Sequence, residues 1–195
     1  MKEVVAGLVM MLQMQEGPIQ PRILAIDGRC GAGKTTLAHW IQENTGCNVV
    51  SVDDFYLPLA QRTPERMAQP GGHIHWERLL SEVIHPLRRG RAAVYRPYDC
   101  HTDRFLEEIT LAPMFATLVE GAYSCLPELW PLYDIRIFLT IDPEHQLQRI
   151  EARSGKEGLA AFQEIWIPRE EDYFQTYQIP AHCEYCFTMD QIKTA

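Results

Sequence analysis

The chain has 195 residues, 46% of them apolar and none in a low-complexity stretch, which suits one α/β domain with its own core and excludes a disordered chain. Acidic residues outnumber basic ones 26 to 18, a formal charge of −8. The basic residues are scattered, which excludes a protein holding nucleic acid along a basic stripe. The one short cluster, Arg88, Arg89 and Arg91, reads as a solvated helix end.

At the N-terminus an apolar run from Val4 to Leu12 follows Lys2. It has no small-residue cleavage site, is too short to span a bilayer, and leads straight into Gln13, Gln15 and Glu16. Residues 1–20 therefore read as an amphipathic helix packed on a domain formed by residues 21–195. A cytoplasmic chain is expected, with no membrane partner and with six cysteines as free thiols. Cys183 and Cys186 form a lone C-x-x-C without the further ligands zinc needs.

Residues 22–27 carry Ile23, Leu24, Ala25 and Ile26, the pattern of a parallel strand buried on both faces. Leu37, Trp40 and Ile41 recur at helical spacing until Gly46. A short strand is predicted over 49–52 and a helix over 76–89. Residues 92–95 and 108–111 read as an inserted pair of strands. Two more buried strands are predicted over 117–120 and 135–141, helices over 144–153 and 159–177, and a last strand over 185–189. Buried strands alternating with helices imply a parallel sheet of about five strands, covered by helices on both faces. An inserted region spans about residues 55–112.

Between the first strand and the first domain helix lies Gly28-Arg29-Cys30-Gly31-Ala32-Gly33-Lys34-Thr35, followed by Thr36. This fits G-x-x-x-x-G-K-[ST], and the strand and helix around it are the context that chemistry needs. Glycines let the backbone curl so that its N–H groups point at phosphate oxygens, and the helix adds its positive end. Lys34 suits the β- and γ-phosphates, and the Thr35 hydroxyl suits magnesium. Asp27, just before the loop, reads as shaping the turn. Acids also stand where strands end: Asp53 and Asp54 after 49–52, and Glu120 after 117–119. Ligands bind beyond the carboxyl ends of parallel strands, so these groups are placed to face the phosphates. A carboxylate there can take the proton of an attacking alcohol, and another can hold metal-bound water. Strand alternation predicts that only one of Asp53 and Asp54 faces the phosphates.

These residues resemble the uridine kinase and phosphoribulokinase group of P-loop kinases, over nearly the whole chain from Arg22. The phosphate loop, Asp53-Asp54-Phe55-Tyr56, Val119-Glu120-Gly121 and Arg149-Ile150-x-x-Arg153 carry the likeness. The resemblance implies a P-loop NTPase fold with ATP and Mg2+ as cofactors and a small-molecule phosphate acceptor. It implies Asp53 as general base, also near the metal, and Glu120 in the magnesium shell with Thr35. It further implies Arg149 and Arg153 as phosphate clamps on a lid spanning about 149–169. Tyr98-Asp99 with His101 and Arg104 resembles the segment that meets the acceptor. Tyr56, Arg62, His73 and His75 complete the candidate acceptor set.

The chain departs from the group in two places. The acidic, proline-containing segment that helps hold the ribose is replaced by 69–78, Gln-Pro-Gly-Gly-His-Ile-His-Trp-Glu-Arg, and the lid around 154–158 is short. The expected activity is an ATP-dependent kinase for a hydroxyl of uridine or a similar nucleoside. The alternatives are a kinase of this fold for pantothenate, a sugar phosphate or a nucleoside monophosphate, which Arg62 and Arg66 would suit, or a nucleotide-driven switch. The N-K-x-D of guanine-reading switches is absent. A homo-oligomer stays open.

Overall fold

Nine strands and seven α-helices are found in the computed structural model, which describes residues 1–13 and 21–189. In chain order the strands are β1 (Arg22–Gly28), β2 (Asn48–Ser51), β3 (Ala93–Tyr95), β4 (Tyr98–Asp99), β5 (Arg104–Phe105), β6 (Ile109–Leu111), β7 (Ala116–Glu120), β8 (Ile135–Thr140) and β9 (Tyr185–Thr188). The helices are α1 (Lys2–Gln13), α2 (Lys34–Thr45), α3 (Pro64–Met67), α4 (Trp76–Arg78), α5 (His85–Arg88), α6 (Pro143–Ala161) and α7 (Ile167–Thr176).

The main sheet is parallel, in the order β2-β7-β1-β8-β9. Its centre, β1, is buried at every residue after Arg22 and carries the apolar run Ile23–Ile26, because both faces are covered. Side chains alternate between the two faces. Ile23, Ala25, Val50 and Val119 join Leu79, Val83 and Leu87 on one side. Leu24, Ile26, Leu118 and Ile137 join Leu37 and Ile41 of α2, with Val5 and Val9 of α1, on the other. No described helix is long and apolar enough to cross a membrane.

The predicted helix over 76–89 is one continuous rod made of α4, a π-helical stretch (Leu79–Ile84) and α5. Pro86 has no N–H to offer, and the wider π turn before it accommodates that loss. The two helices predicted over 144–153 and 159–177 are joined. Asp142 caps α6 by accepting from Glu144 N and His145 N, and π-helical Phe162–Trp166 links α6 to α7. Within α6, Gly155 has φ 69° and ψ −178°, a conformation open to glycine, and there the helix breaks into two legs. The inserted strands pair antiparallel as two small ribbons, β3 with β6 and β4 with β5.

The expectation of a solvated basic helix end is corrected at Arg88. Its guanidinium donates to Leu132 O at 2.6 Å and pairs with Asp134 at 2.8 Å, pinning α5 to the start of β8. Arg89 and Arg91 are exposed.

Gly28 closes β1 with φ 136°, and a Cβ there would lie 2.0 Å from the Leu139 carbonyl oxygen. Neither backbone can yield without breaking the β1–β8 pairing. Gly28→Ala is expected to cost more than the ~1–3 kcal/mol of ordinary overpacking. Chemical denaturation checks this: a midpoint within error of wild type would show that the two strands can separate there at no cost.

Candidate active site

Strands β1, β2 and β7 end side by side, with Ile26 and Ser51 both in register with Glu120. The loop after β1, the turn after β2 and the end of β7 therefore meet at one edge, where they line a cavity of about 1240 Å3.

The 28–35 loop wraps the start of α2. Lys34 Nζ donates to Gly28 O at 2.6 Å and Arg29 O at 3.1 Å, which folds the loop around the lysine. Beneath it, the fully buried Asp27 carboxylate accepts from Gly28 N at 2.6 Å, Cys125 N at 2.8 Å and the Tyr173 hydroxyl at 2.8 Å. One side chain thus ties the loop, the segment after β7, and α7. Burial pushes the Asp27 carboxyl above its ordinary range, against these hydrogen bonds and Lys34. From α7, Glu170 accepts from Cys30 N at 2.9 Å, and Glu171 pairs with the Arg29 guanidinium. The Arg29 side chain therefore faces Thr140 and α7. Burial also raises the Glu170 carboxyl and pushes the Cys30 thiol up to about 12.

Asp53 and Asp54 do not lie on a strand. β2 ends at Ser51, and Val52–Phe55 forms a 3-10 turn capped by the Ser51 hydroxyl, which accepts from Asp53 N. The alternation argument is corrected accordingly, but the turn separates the two acids all the same. Asp53 lines the cavity, whereas Asp54 accepts from the Tyr95 hydroxyl at 3.2 Å. Asp53 is open to the cavity yet surrounded by protein, so desolvation raises its pKa, while Lys34, Arg153 and a hydrogen bond from Tyr56 pull it back.

Glu120 is buried and accepts from the Thr35 hydroxyl at 3.0 Å. Desolvation raises its pKa and the nearby Asp53 charge adds to the rise, opposed by Thr35 and Lys34. Two repelling carboxylates beside a hydroxyl are hard oxygen donors whose strain a dication relieves, so the set Thr35, Glu120 and Asp53 fits magnesium.

On the first leg of α6, Arg149 donates to Gly31 O at 3.2 Å, and Arg153 lies over the Phe162 ring at 5.2 Å. Both line the cavity, as do Gly31, Gly33, Thr36, Tyr56 and Tyr98. Ala32 is buried beneath the loop. The other sequence candidates are placed differently. His73 is buried behind the wall, its ring stacked on Tyr56 and edge-on to Tyr123. Arg62 Nε donates to Leu57 O at 2.8 Å. Arg66 is spent on Glu77 and on the Gly72 and Ile74 carbonyls. His75 contacts Glu77, and Arg104 is exposed on β5; neither lines the cavity.

Sequence reasoning missed Glu170, Tyr123, Phe162 and Trp166, which line the cavity, and left open what Asp27 binds. Glu170 and Tyr173 lie more than 130 residues from the loop they brace, on a helix whose pattern marks only burial. Tyr123, two residues past the Glu120-Gly121 pair, carried the nearest thing to a signal.

No family model matches the chain. It is 32% identical over 162 residues to the uridine kinase of Chlamydia pneumoniae, covering 77% of this chain and 68% of the relative. It is 28% identical over 137 residues to the uridine kinase of Halobacterium salinarum, covering 66% of this chain and 60% of that one. Among solved structures, a possible uridine kinase from Bacillus stearothermophilus superposes with a TM-score of 0.69 at 19% identity, covering 96% of this chain and 100% of the other. A D-glycerate 3-kinase from Cryptococcus neoformans var. grubii gives 0.66 at 16% identity, covering 100% and 97%. These two likenesses show the fold.

Burial, with Arg169 and Arg62 nearby, lowers the His73 pKa from 6.5 to about 4. Between those values the unfolded chain holds a proton that the folded chain does not. The stability contributed by neutral His73 is complete above pH 6.5 and is lost as pH falls toward 4. The raised carboxyls of Asp27, Asp53, Glu120 and Glu170 act oppositely, because their protonation in the fold relieves buried charge. His73→Gln is therefore expected to flatten the fall in thermal midpoint over that window. Parallel curves for the variant and wild type would remove His73 from the acid response.

Proposed function

The chain belongs to the uridine kinase family of P-loop kinases, and on that footing we propose that it transfers the γ-phosphate of ATP to a hydroxyl of a small molecule. The observation that carries this reading is the position of Asp53. It lies in the same cavity as Lys34 of the phosphate loop and the Thr35–Glu120 pair, with Arg153 close enough to bias its charge.

In this reading the loop amides and Lys34 hold the triphosphate, and Lys34 exchanges its bonds to Gly28 O and Arg29 O for phosphate oxygens. Magnesium, when bound by Thr35, Glu120 and Asp53, supplies charge neutralisation on the phosphates. Asp53 accepts the proton of the acceptor hydroxyl as that oxygen bonds to the γ-phosphorus, and the bond to the ADP oxygen breaks. A carboxylate whose pKa burial has raised is a better base than an exposed one. Arg149 and Arg153 approach the transferring phosphate from the first leg of α6, which acts as the lid, and the break at Gly155 gives that leg its hinge. Tyr56, Tyr98, Tyr123, Phe162 and Trp166 extend the cavity beyond Asp53, room that a switch reading only its nucleotide would not need. Uridine or a similar nucleoside is the acceptor suggested by the names of the relatives.

Release of ADP across a panel of nucleosides, sugars, hydroxy acids and sugar phosphates tests the reading. With an acceptor in hand, Asp53→Asn is expected to lower kcat about a hundredfold to ten-thousandfold with ATP affinity retained. Asp54→Asn should keep most activity, because Asp54 faces Tyr95. The reverse outcome, an inactive Asp54 variant and an active Asp53 variant, would move the base to the other carboxylate.

A further inference from the structure

The cavity has two ends, one over each face of the main sheet. Tyr56 and Tyr123 pack in or against the apolar layer that holds Phe55 and Tyr173. Met1, Leu37 and Met189 pack in or against the opposite layer, with Val5, Val9 and Ile41. Tyr56, Tyr123, Met1, Leu37 and Met189 all line the one cavity. It therefore straddles the end of the sheet, and the acceptor occupies only the first of its two ends in the reading above.

The second end is built by α1. Its Val5 and Val9 are fully buried in the layer that contains Leu37 and Ile41, which seats α1 along α2. Lys2 Nζ lies over the Trp40 ring at 5.5 Å. Trp40 and Thr36 are four residues apart on α2 and share one of its faces. The first turn of α1 therefore stands beside the first turn of α2, where the phosphate loop ends. Met1 O accepts from Val5 N at 3.0 Å, so Met1 and Lys2 belong to that turn. Met189 reaches in from the end of β9: a Cβ on Gly33 would lie 3.6 Å from its terminal methyl. Met1, Lys2, Thr36, Leu37 and Met189 thus frame a recess next to the loop.

The direction of a bound triphosphate decides what this recess can take. The reacting phosphate belongs beside Asp53, at the acceptor end. A phosphate loop cradles the α- and β-phosphates with its amides and reaches the β- and γ-phosphates with its lysine. The α-phosphate and the nucleoside then leave on the side away from Asp53, past Thr36 and toward α1. Met1, Leu37 and Met189 give that side an apolar slot, and thioether side chains adapt to a flat ring. Lys2 adds a positive charge at the mouth of the slot. It is half-buried, its partner is the neutral Trp40 ring, and among the described residues no carboxylate pairs with it. A helix that served only to pack on the domain would need Val5 and Val9, but not a lysine lining the nucleotide cavity.

Resting on the kinase reading above, we propose that α1 is the outer wall of the nucleoside subsite, with Met1 and Met189 against the base and Lys2 binding the α-phosphate. The lysine then meets a charge that ATP and ADP share, so it holds the nucleotide before and after transfer. Its flexible stem suits a point contact with a phosphate oxygen. The N-terminal helix is in this way part of the nucleotide site, although it precedes the strand that opens the phosphate-binding unit.

Calorimetry of ATP and of ADP, with magnesium present, tests this on the wild type and on Lys2→Ala, Lys2→Gln and Lys2→Arg. The alanine and glutamine variants are expected to bind both nucleotides about tenfold more weakly, as the loss of one charge-assisted hydrogen bond allows. Lys2→Arg should keep most of the affinity. Met10→Ser, on the exposed side of α1 and outside the cavity, should bind as the wild type does. A second readout needs no variant: ATP should slow hydrogen exchange across residues 1–13 of the wild type. The proposal is overturned if Lys2→Ala binds both nucleotides with wild-type affinity, or if exchange over 1–13 is indifferent to ATP. A loss with ATP alone would move Lys2 to the γ-phosphate, and full affinity in Lys2→Gln would leave only a neutral contact; either result overturns the α-phosphate assignment. Wild-type protein that fails to bind ATP would sink the kinase reading itself, whereas ATP binding that is blind to α1 sinks only this inference.

Discussion

One ammonium group stands among four carboxylates. Asp27, Asp53, Glu120 and Glu170 converge on Lys34, and each is driven above its ordinary pKa by desolvation and drawn back in part by that lysine. Asp27 has three hydrogen bonds, which make it part of the scaffold. Glu170 is tied to the Cys30 loop amide, and Glu120 to the Thr35 and Ser51 hydroxyls. Buried charge without a full set of partners is costly. The site is thus poised for added positive charge near Glu120 and Asp53, while the loop amides and Arg149 and Arg153 are poised for negative charge. On the proposed reading a metal–triphosphate complex would satisfy both demands together, and neither ion would do so alone.

The parallel sheet is what makes this concentration feasible. Its strands all end at one edge, so residues 27, 53 and 120, far apart in the chain, come within reach of one lysine. The apolar layers beneath carry the cost of holding them there. α7 closes the arrangement from the side through Glu170, Glu171 and Tyr173. α6 and α7, which braces the floor of the loop, are therefore joined as one unit through the π-helical link at Phe162–Trp166.

Much of this is legible in the sequence, for local reasons. The phosphate loop is written in consecutive residues, and β1, α2, β7 and β8 announce themselves by burial on both faces or by helical spacing. Strand alternation predicts only that one of Asp53 and Asp54 faces the phosphates, and the resemblance picks Asp53; the structure separates the two by a capped 3-10 turn, a local geometry that the alternating pattern does not encode. What stays illegible is pairing at a distance. Arg88 looks like a solvated helix end until Asp134 is beside it. Arg66 looks free for a ligand until Glu77 takes it, and Arg62 looks no different. His73 in its glycine-rich turn is a candidate for the acceptor, but Tyr56, Tyr123 and Trp166 pack around its ring. Which charges a fold consumes and which it leaves for a ligand is decided by tertiary contacts.

The poised charge balance is tested most directly by calorimetry of ATP on the wild-type protein and on Lys34→Ala, each with magnesium and with a chelator. The account predicts that magnesium tightens ATP binding to the wild type by at least about tenfold, since it relieves the Asp53–Glu120 repulsion, and that Lys34→Ala loses most of the affinity in both conditions. ATP affinity unchanged by the chelator, or retained in Lys34→Ala, would contradict it.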